Sequence, residues 1–197
     1  MKITYQNQHG NMLHTDWSFM REKKLLSVQN MVLVAMFTAI LSICSQIAFM
    51  LPGGVPVTLQ TFGIVLIGIM LGPKLGGISV LLYILMGAVG VPVFSNLNGG
   101  LSVLVGPTGG YIFGFIPMVI LTGLGKGKSF IKGVSFSICG LLICHVMGLS
   151  MYYIVTSTWL LPSVPLMLAK DITTTVLAIV FGKEISRRIS FLFVSSR

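Results

Sequence analysis

Residues 55–111 read VPVTLQTFGIVLIGIMLGPKLGGISVLLYILMGAVGVPVFSNLNGGLSVLVGPTGGY. Two apolar runs, 61–71 and 75–91, are joined by the basic turn Gly72-Pro73-Lys74. Their outer ends meet loops of Pro, Gly, Thr, Asn and Gln. Such residues leave backbone N–H and C=O groups outside regular structure, because Gly accepts positive φ and Pro lacks a donor. In lipid those groups persist only where protein or a water-filled cavity satisfies them. Two such loops on one side of a single hairpin point to the walls of a small-molecule pocket.

Composition places the hairpin in a membrane. The chain of 197 residues is 54% hydrophobic and 9% charged, with a mean hydropathy of +0.95. Soluble domains carry about 25% charged residues. The apolar segments are long continuous runs, which indicates helices rather than a barrel of short alternating strands. A net charge of +9 suggests nucleic acid in a soluble chain, but here the basic residues lie between apolar segments, so they report topology and no nucleic-acid partner is expected. Cys44, Cys139 and Cys144 fall inside apolar runs with no metal-ligand spacing, and their odd number argues against a disulfide framework. They read as core residues, and no metal site is expected.

Outward from the hairpin, the sequence predicts an all-α membrane protein of six transmembrane helices: 31–51, 60–71, 75–91, 109–124, 133–156 and 166–186. Residues 1–29 form a polar and basic extension, 30–190 the six-helix substrate-binding domain, and 191–197 a tail. The basic-then-apolar order at 21–51 imitates a signal peptide, yet the run is longer than an h-region of roughly 7–15 residues. Met20 opens a stretch that reads like a natural start, so residues 1–19 are expected to be dispensable. The second helix is short for a bilayer that needs about 20 residues; it is either half-buried or completed by the extended segment 55–59. With both termini in the cytoplasm, twelve of the thirteen Lys and Arg residues fall on the inner side, as the positive-inside rule requires. Lys170 is the exception. The loops flanking the hairpin and the loop 157–165 then face outward, so the pocket opens to the outside of the cell membrane.

Asp171 is the only acidic residue between Glu22 and Glu184. An ionisable residue at membrane depth is a functional candidate by default; the bland alternative is a Lys170–Asp171 pair snorkelling to water. A carboxylate suits a ligand with amide-like or urea-like N–H donors, and Lys170 can neutralise it or meet a ligand carboxylate. Asn96, Asn98, Gly109, Gly110 and Tyr111 form a second signal, since Gly-Gly at a helix start offers free N–H groups to an anion, or else marks close packing. Thr58 and Gln60 add polar reach. His145, alone on an apolar helix, reads as a core residue. Ala35 and Ala39 make a small-xxx-small face, for a partner or for internal packing. No nucleophile–base pair and no P-loop is visible, so a binding component rather than an enzyme is expected, one that cannot itself hydrolyse ATP.

The segments VPVTLQTFGIVLIGIMLGPKLGG, LLYILMGAVGVPVF and GPTGGYIFGF together closely resemble BioY, the biotin-specific substrate-binding (S) component of energy-coupling factor transporters. The resemblance covers about residues 31–190. It implies the S-component six-helix bundle, high-affinity biotin capture near the outer face, and a partner module of one transmembrane coupling protein and two ATPase subunits. No cofactor is implied; biotin is the cargo. Ala35 and Ala39 match the family's AxxxA face that docks on the coupling protein. The family commonly has a Lys three residues after the helix-6 Asp; here that position is Thr174 and the lysine is Lys170. Either Asn96 or Asn98 matches the loop Asn. The ureido ring of biotin suits a carboxylate plus an amide, its apolar parts suit Phe62, Tyr83, Val93 and Tyr111, and its carboxylate suits the 109–111 N–H groups or Lys170. The alternatives are an S component for another vitamin, or a small acyl- or prenyl-transferring intramembrane enzyme. A homo-oligomer is compatible with the sequence.

Overall fold

The computed structural model describes residues 27–50 and 56–195. The expected extension 1–29 therefore lies almost wholly outside the described residues. The first helix, α1 (Val28–Gln46), is capped by the Ser27 hydroxyl, which accepts from the Asn30 N–H at 3.3 Å. It ends five residues before the predicted boundary at 51. The chain instead extends into β1 (Ala48–Met50), which pairs antiparallel with β2 (Pro56–Thr58), placing Ala48 opposite Thr58. Residues 47–51 are as apolar as the helix before them, so composition hides the break. The ladder, closed by Leu59 N–H donating to Ile47 C=O at 3.1 Å, satisfies backbone that lipid cannot.

The extended 55–59 reading meets β2, and the next helix, α2 (Gln60–Leu71), has the predicted bounds. It is the centre of the fold: ten of its twelve residues are buried, as expected of a helix apolar on every side. α1, α3 (Pro73–Ala88), α5 (Gly109–Leu124) and α7 (Val164–Ser195) surround it. Gly72, at φ +83°, both ends α2 and starts α3. Pro73 then occupies the first position of α3, where its missing N–H is harmless, so this helix runs two residues earlier and ends three residues sooner than predicted. Between α3 and α5 the sequence suggests a plain loop; the structure has a 3-10 turn (Ser95–Leu97) and a short helix, α4 (Leu101–Val105).

α5 has its predicted bounds, and α6 (Phe130–Thr156) begins three residues early, capped by Ser129. These two helices pack backbone to backbone. A Cβ on Gly114 would stand 2.8 Å from Cα of Cys144, and one on Gly140 would stand 2.9 Å from Cα of Met118. Small residues in a membrane allow this approach, and dispersion contacts then hold the pair. Between α1 and α3, the Thr38 hydroxyl donates to Ser79 C=O at 3.1 Å and the Ser79 hydroxyl returns a bond to Val34 C=O at 3.3 Å. α7 exceeds its predicted range at both ends, following a 3-10 turn (Leu161–Ser163).

Three helical stretches, Val28–Gln46, Phe130–Thr156 and Val164–Arg188, are long and apolar enough to cross a membrane; α2, α3 and α5 are shorter apolar helices. The outer surfaces of α1 and α6 carry Val28, Ile131 and Ile154, large side chains suited to lipid and not to water. Of the cysteines, Cys144 is buried and Cys44 half-buried, but Cys139 is exposed, which corrects its assignment to the core.

Candidate functional site

One end of the bundle gathers the β1–β2 hairpin, the 89–108 segment and the turn before α7. Beneath them lies a cleft of about 630 Å³ of empty space, its mouth included, walled by residues of β2, α2, the 94–108 segment, α5, α6 and α7. Its apolar lining includes Val57, Phe94, Val103, Ile112, Phe115 and Leu141. An apolar cleft with a few convergent polar groups is the usual form of a small-molecule site.

The polar groups converge on Asp171, which is only 4% exposed. Its Oδ1 accepts from the Thr61 hydroxyl at 2.7 Å and pairs with the Lys170 ammonium. Its Oδ2 faces Nε2 of His145 at 3.4 Å. Lys170 also donates to the Thr58 carbonyl at 2.7 Å, so it joins α7 to the end of β2. The snorkelling pair is thereby corrected: Asp171 is turned inward, and only Lys170 keeps partial access to solvent. A buried carboxylate needs such partners, because desolvation of an unpaired charge costs several kcal/mol.

A second set of bonds stiffens the opposite wall. The Thr58 hydroxyl donates to Oε1 of Gln60 at 2.7 Å, and Nε2 of Gln60 donates to the Tyr83 hydroxyl at 2.7 Å. Tyr83 in turn meets Phe94 edge to face, with centroids 5.4 Å apart. The end of α1 holds the segment bearing Phe94: Nε2 of Gln46 donates to Phe94 C=O at 3.0 Å, and Oε1 accepts from Leu97 N–H at 2.9 Å.

Of the sequence-predicted residues, Thr58, Gln60, Tyr111, Lys170 and Asp171 line the cleft. The others do not. Tyr83 is fully buried behind Gln60, while Phe62 faces Phe181 instead, at 6.2 Å between centroids. Val93 is buried, its carbonyl accepting from the Ser45 hydroxyl. Asn96, on the 3-10 turn, and Asn98, just after it, are exposed, with Asn96 in the left-handed region at φ 59°. The Thr174 hydroxyl bonds back to the carbonyls of Lys170 and Asp171. Gly109 and Gly110 sit in close packing: a Cβ on Gly109 would strike the Leu104 carbonyl, and one on Gly110 the Met147 carbonyl. The N–H groups of Gly109 and Tyr111 already donate to Gly106 and Thr108.

Two polar residues that meet Asp171 in the cleft escape sequence reasoning. Thr61 looks like the first residue of an apolar run, and His145 reads as core. His145 is indeed buried, but it lines the cleft beside Asp171. The spacing of 26 positions between His145 and Asp171 carries no motif. Ala35 and Ala39 are both exposed on α1, so internal packing does not account for them.

Comparison with known proteins agrees with this architecture. The BioY family model matches residues 20–191. The chain is 42% identical over 123 residues to the "Probable biotin transporter BioY" of Pyrococcus horikoshii, covering 62% of this chain and 74% of that protein. It is 32% identical over 141 residues to the "Biotin transporter BioY" of Rhodobacter capsulatus, covering 68% and 74%. Among solved structures, the S-component for biotin from an ECF-type ABC transporter superposes with a TM-score of 0.73 at 25% identity, covering 81% of this chain and 92% of that one. A multi-pass helical membrane fold, a cleft at one end of it and a sequence match along nearly its whole described length therefore converge on one conclusion: the chain belongs to the BioY family.

Proposed function

We propose that this chain captures biotin at the outer face of the cytoplasmic membrane and delivers it inward as the S component of an ECF-type transporter. The observation that carries the proposal is the buried carboxylate of Asp171 inside an otherwise apolar cleft. Biotin has a ureido ring with two N–H donors and an apolar thiophane and side chain, and this cleft offers the complement of both. The names of the relatives and of the solved neighbour support the same ligand.

In this reading the three long apolar helices and the three shorter ones, α2, α3 and α5, all cross the bilayer, and residues 1–29 and 191–197 stay on the cytoplasmic side. The distribution of Lys and Arg supports that orientation, which turns the cleft outward. Uptake then requires partners: a transmembrane coupling protein, which docks on the exposed Ala35–Ala39 face of α1, and two ATPase subunits. The chain binds its cargo and does not transform it. Asn96 and Asn98 lie on the rim, from which they can meet a ligand only at the mouth.

The test is uptake of radiolabelled biotin by cells that lack other biotin transport, with and without the coupling protein and ATPases. Uptake above the background of cells lacking this chain is the expected result. Biotin uptake at background level, with the chain present in the membrane beside its partners, would overturn the proposal.

A further inference from the structure

The polar wall of the cleft holds two buried atoms with no hydrogen-bond partner among the described residues: Nε2 of His145 and the hydroxyl oxygen of Tyr111. Both residues line the cleft with Asp171, and their rings meet edge to face at 5.8 Å. His145 is 5% exposed. Its Nδ1 lies 3.2 Å from the Leu141 carbonyl. A carbonyl only accepts, so Nδ1 is the donor in that bond, and Nε2 is the nitrogen turned to the carboxylate. It stands 3.4 Å from Oδ2 of Asp171, with no hydrogen bond between them. The other carboxylate oxygen already has Thr61 and Lys170.

Leaving buried polar atoms unmatched is costly, and here the unmatched atoms share one wall. What completes them is a ligand edge with an N–H donor beside a carbonyl acceptor. Resting on the biotin reading above, we propose that His145 is a ligand-contact residue: Nε2 of His145 and Oδ2 of Asp171 together accept one ureido N–H, and the Tyr111 hydroxyl donates to the adjacent ureido carbonyl. The Nδ1–Leu141 bond is then a positioning contact that fixes which nitrogen faces the cleft. It makes the site selective for a cyclic urea over rings that lack the donor–acceptor edge.

The two nitrogens of His145 can be tested separately. His145→Asn keeps a donor near the Leu141 carbonyl but withdraws the group at the Nε2 position. His145→Gln places an amide oxygen close to that position. Equilibrium binding of biotin to purified, folded protein should weaken about 10-fold for His145→Asn and for Tyr111→Phe, and by no more than about 3-fold for His145→Gln. A structural role through Leu141 predicts the reverse order for the two His145 variants, and that order would overturn the assignment. Should the variants fail to fold, ¹⁵N-histidine spectra of the unsubstituted protein decide: biotin should shift an unprotonated Nε2 resonance of His145, and an unmoved resonance at saturating biotin overturns the proposal. Tight biotin binding with unchanged affinity in His145→Asn removes this assignment alone. No binding by the unsubstituted chain removes the biotin reading and this assignment together.

Discussion

The hydroxyl of Thr61 donates a 2.7 Å hydrogen bond to Oδ1 of Asp171, joining the first turn of α2 to α7 across 110 positions of sequence. The bond holds a buried carboxylate in one orientation and leaves its second oxygen facing the cleft. Hydrogen bonds to charged groups contribute roughly 1.5–3 kcal/mol. Thr61→Val should therefore lower the thermal unfolding midpoint in detergent and weaken ligand binding, whereas Thr61→Ser should preserve both. Equal behaviour of the Val and Ser variants would show that the hydroxyl is dispensable.

Gly148 connects helix packing to the cleft. A Cβ at this position of α6 would run into the ring of Tyr111, which lines the site. Small-to-large changes in packed interiors typically cost about 1–3 kcal/mol. Gly148→Ala should insert into the membrane but bind ligand more weakly, because Tyr111 must shift. Gly182→Ala is the control: its Cβ would meet only side-chain atoms of Ile69 and Leu66, at 3.2 Å or more, so binding by that variant should match the unsubstituted chain.

Ala35 and Ala39 lie on the exposed side of α1, away from the cleft lining. Replacing either by Trp adds bulk outside the fold. In the proposed docking role, Ala35→Trp and Ala39→Trp retain biotin binding and lose transport when the coupling module is present. A parallel loss of binding and transport would place these alanines in the folding of the chain and not at a partner surface.

How far the sequence carries depends on whether a feature is local. α2 and α5 are bounded by turn residues, Gln60 after the extended segment and Gly109 at the helix start, and both have their predicted limits. The end of α1 is not local: residues 48–50 are apolar enough for helix and become a strand because 56–58 lies alongside. Asp171 stands out because a carboxylate inside apolar sequence is rare. Thr61 and His145 do not, since hydroxyls and lone imidazoles are ordinary in helices until a distant partner is seen. The expected walls Phe62, Tyr83 and Val93 depend on how each element is rotated, which composition does not record.

The most direct test of the account is equilibrium binding of biotin to the purified chain and to Asp171→Asn. The substitution removes a charged acceptor and adds amide donors where the ligand brings donors of its own. The account predicts saturable binding by the unsubstituted chain and an affinity about 10- to 150-fold lower for Asp171→Asn, from the roughly 1.5–3 kcal/mol of a charged hydrogen bond. A folded Asp171→Asn variant that binds biotin as tightly as the unsubstituted chain would contradict it.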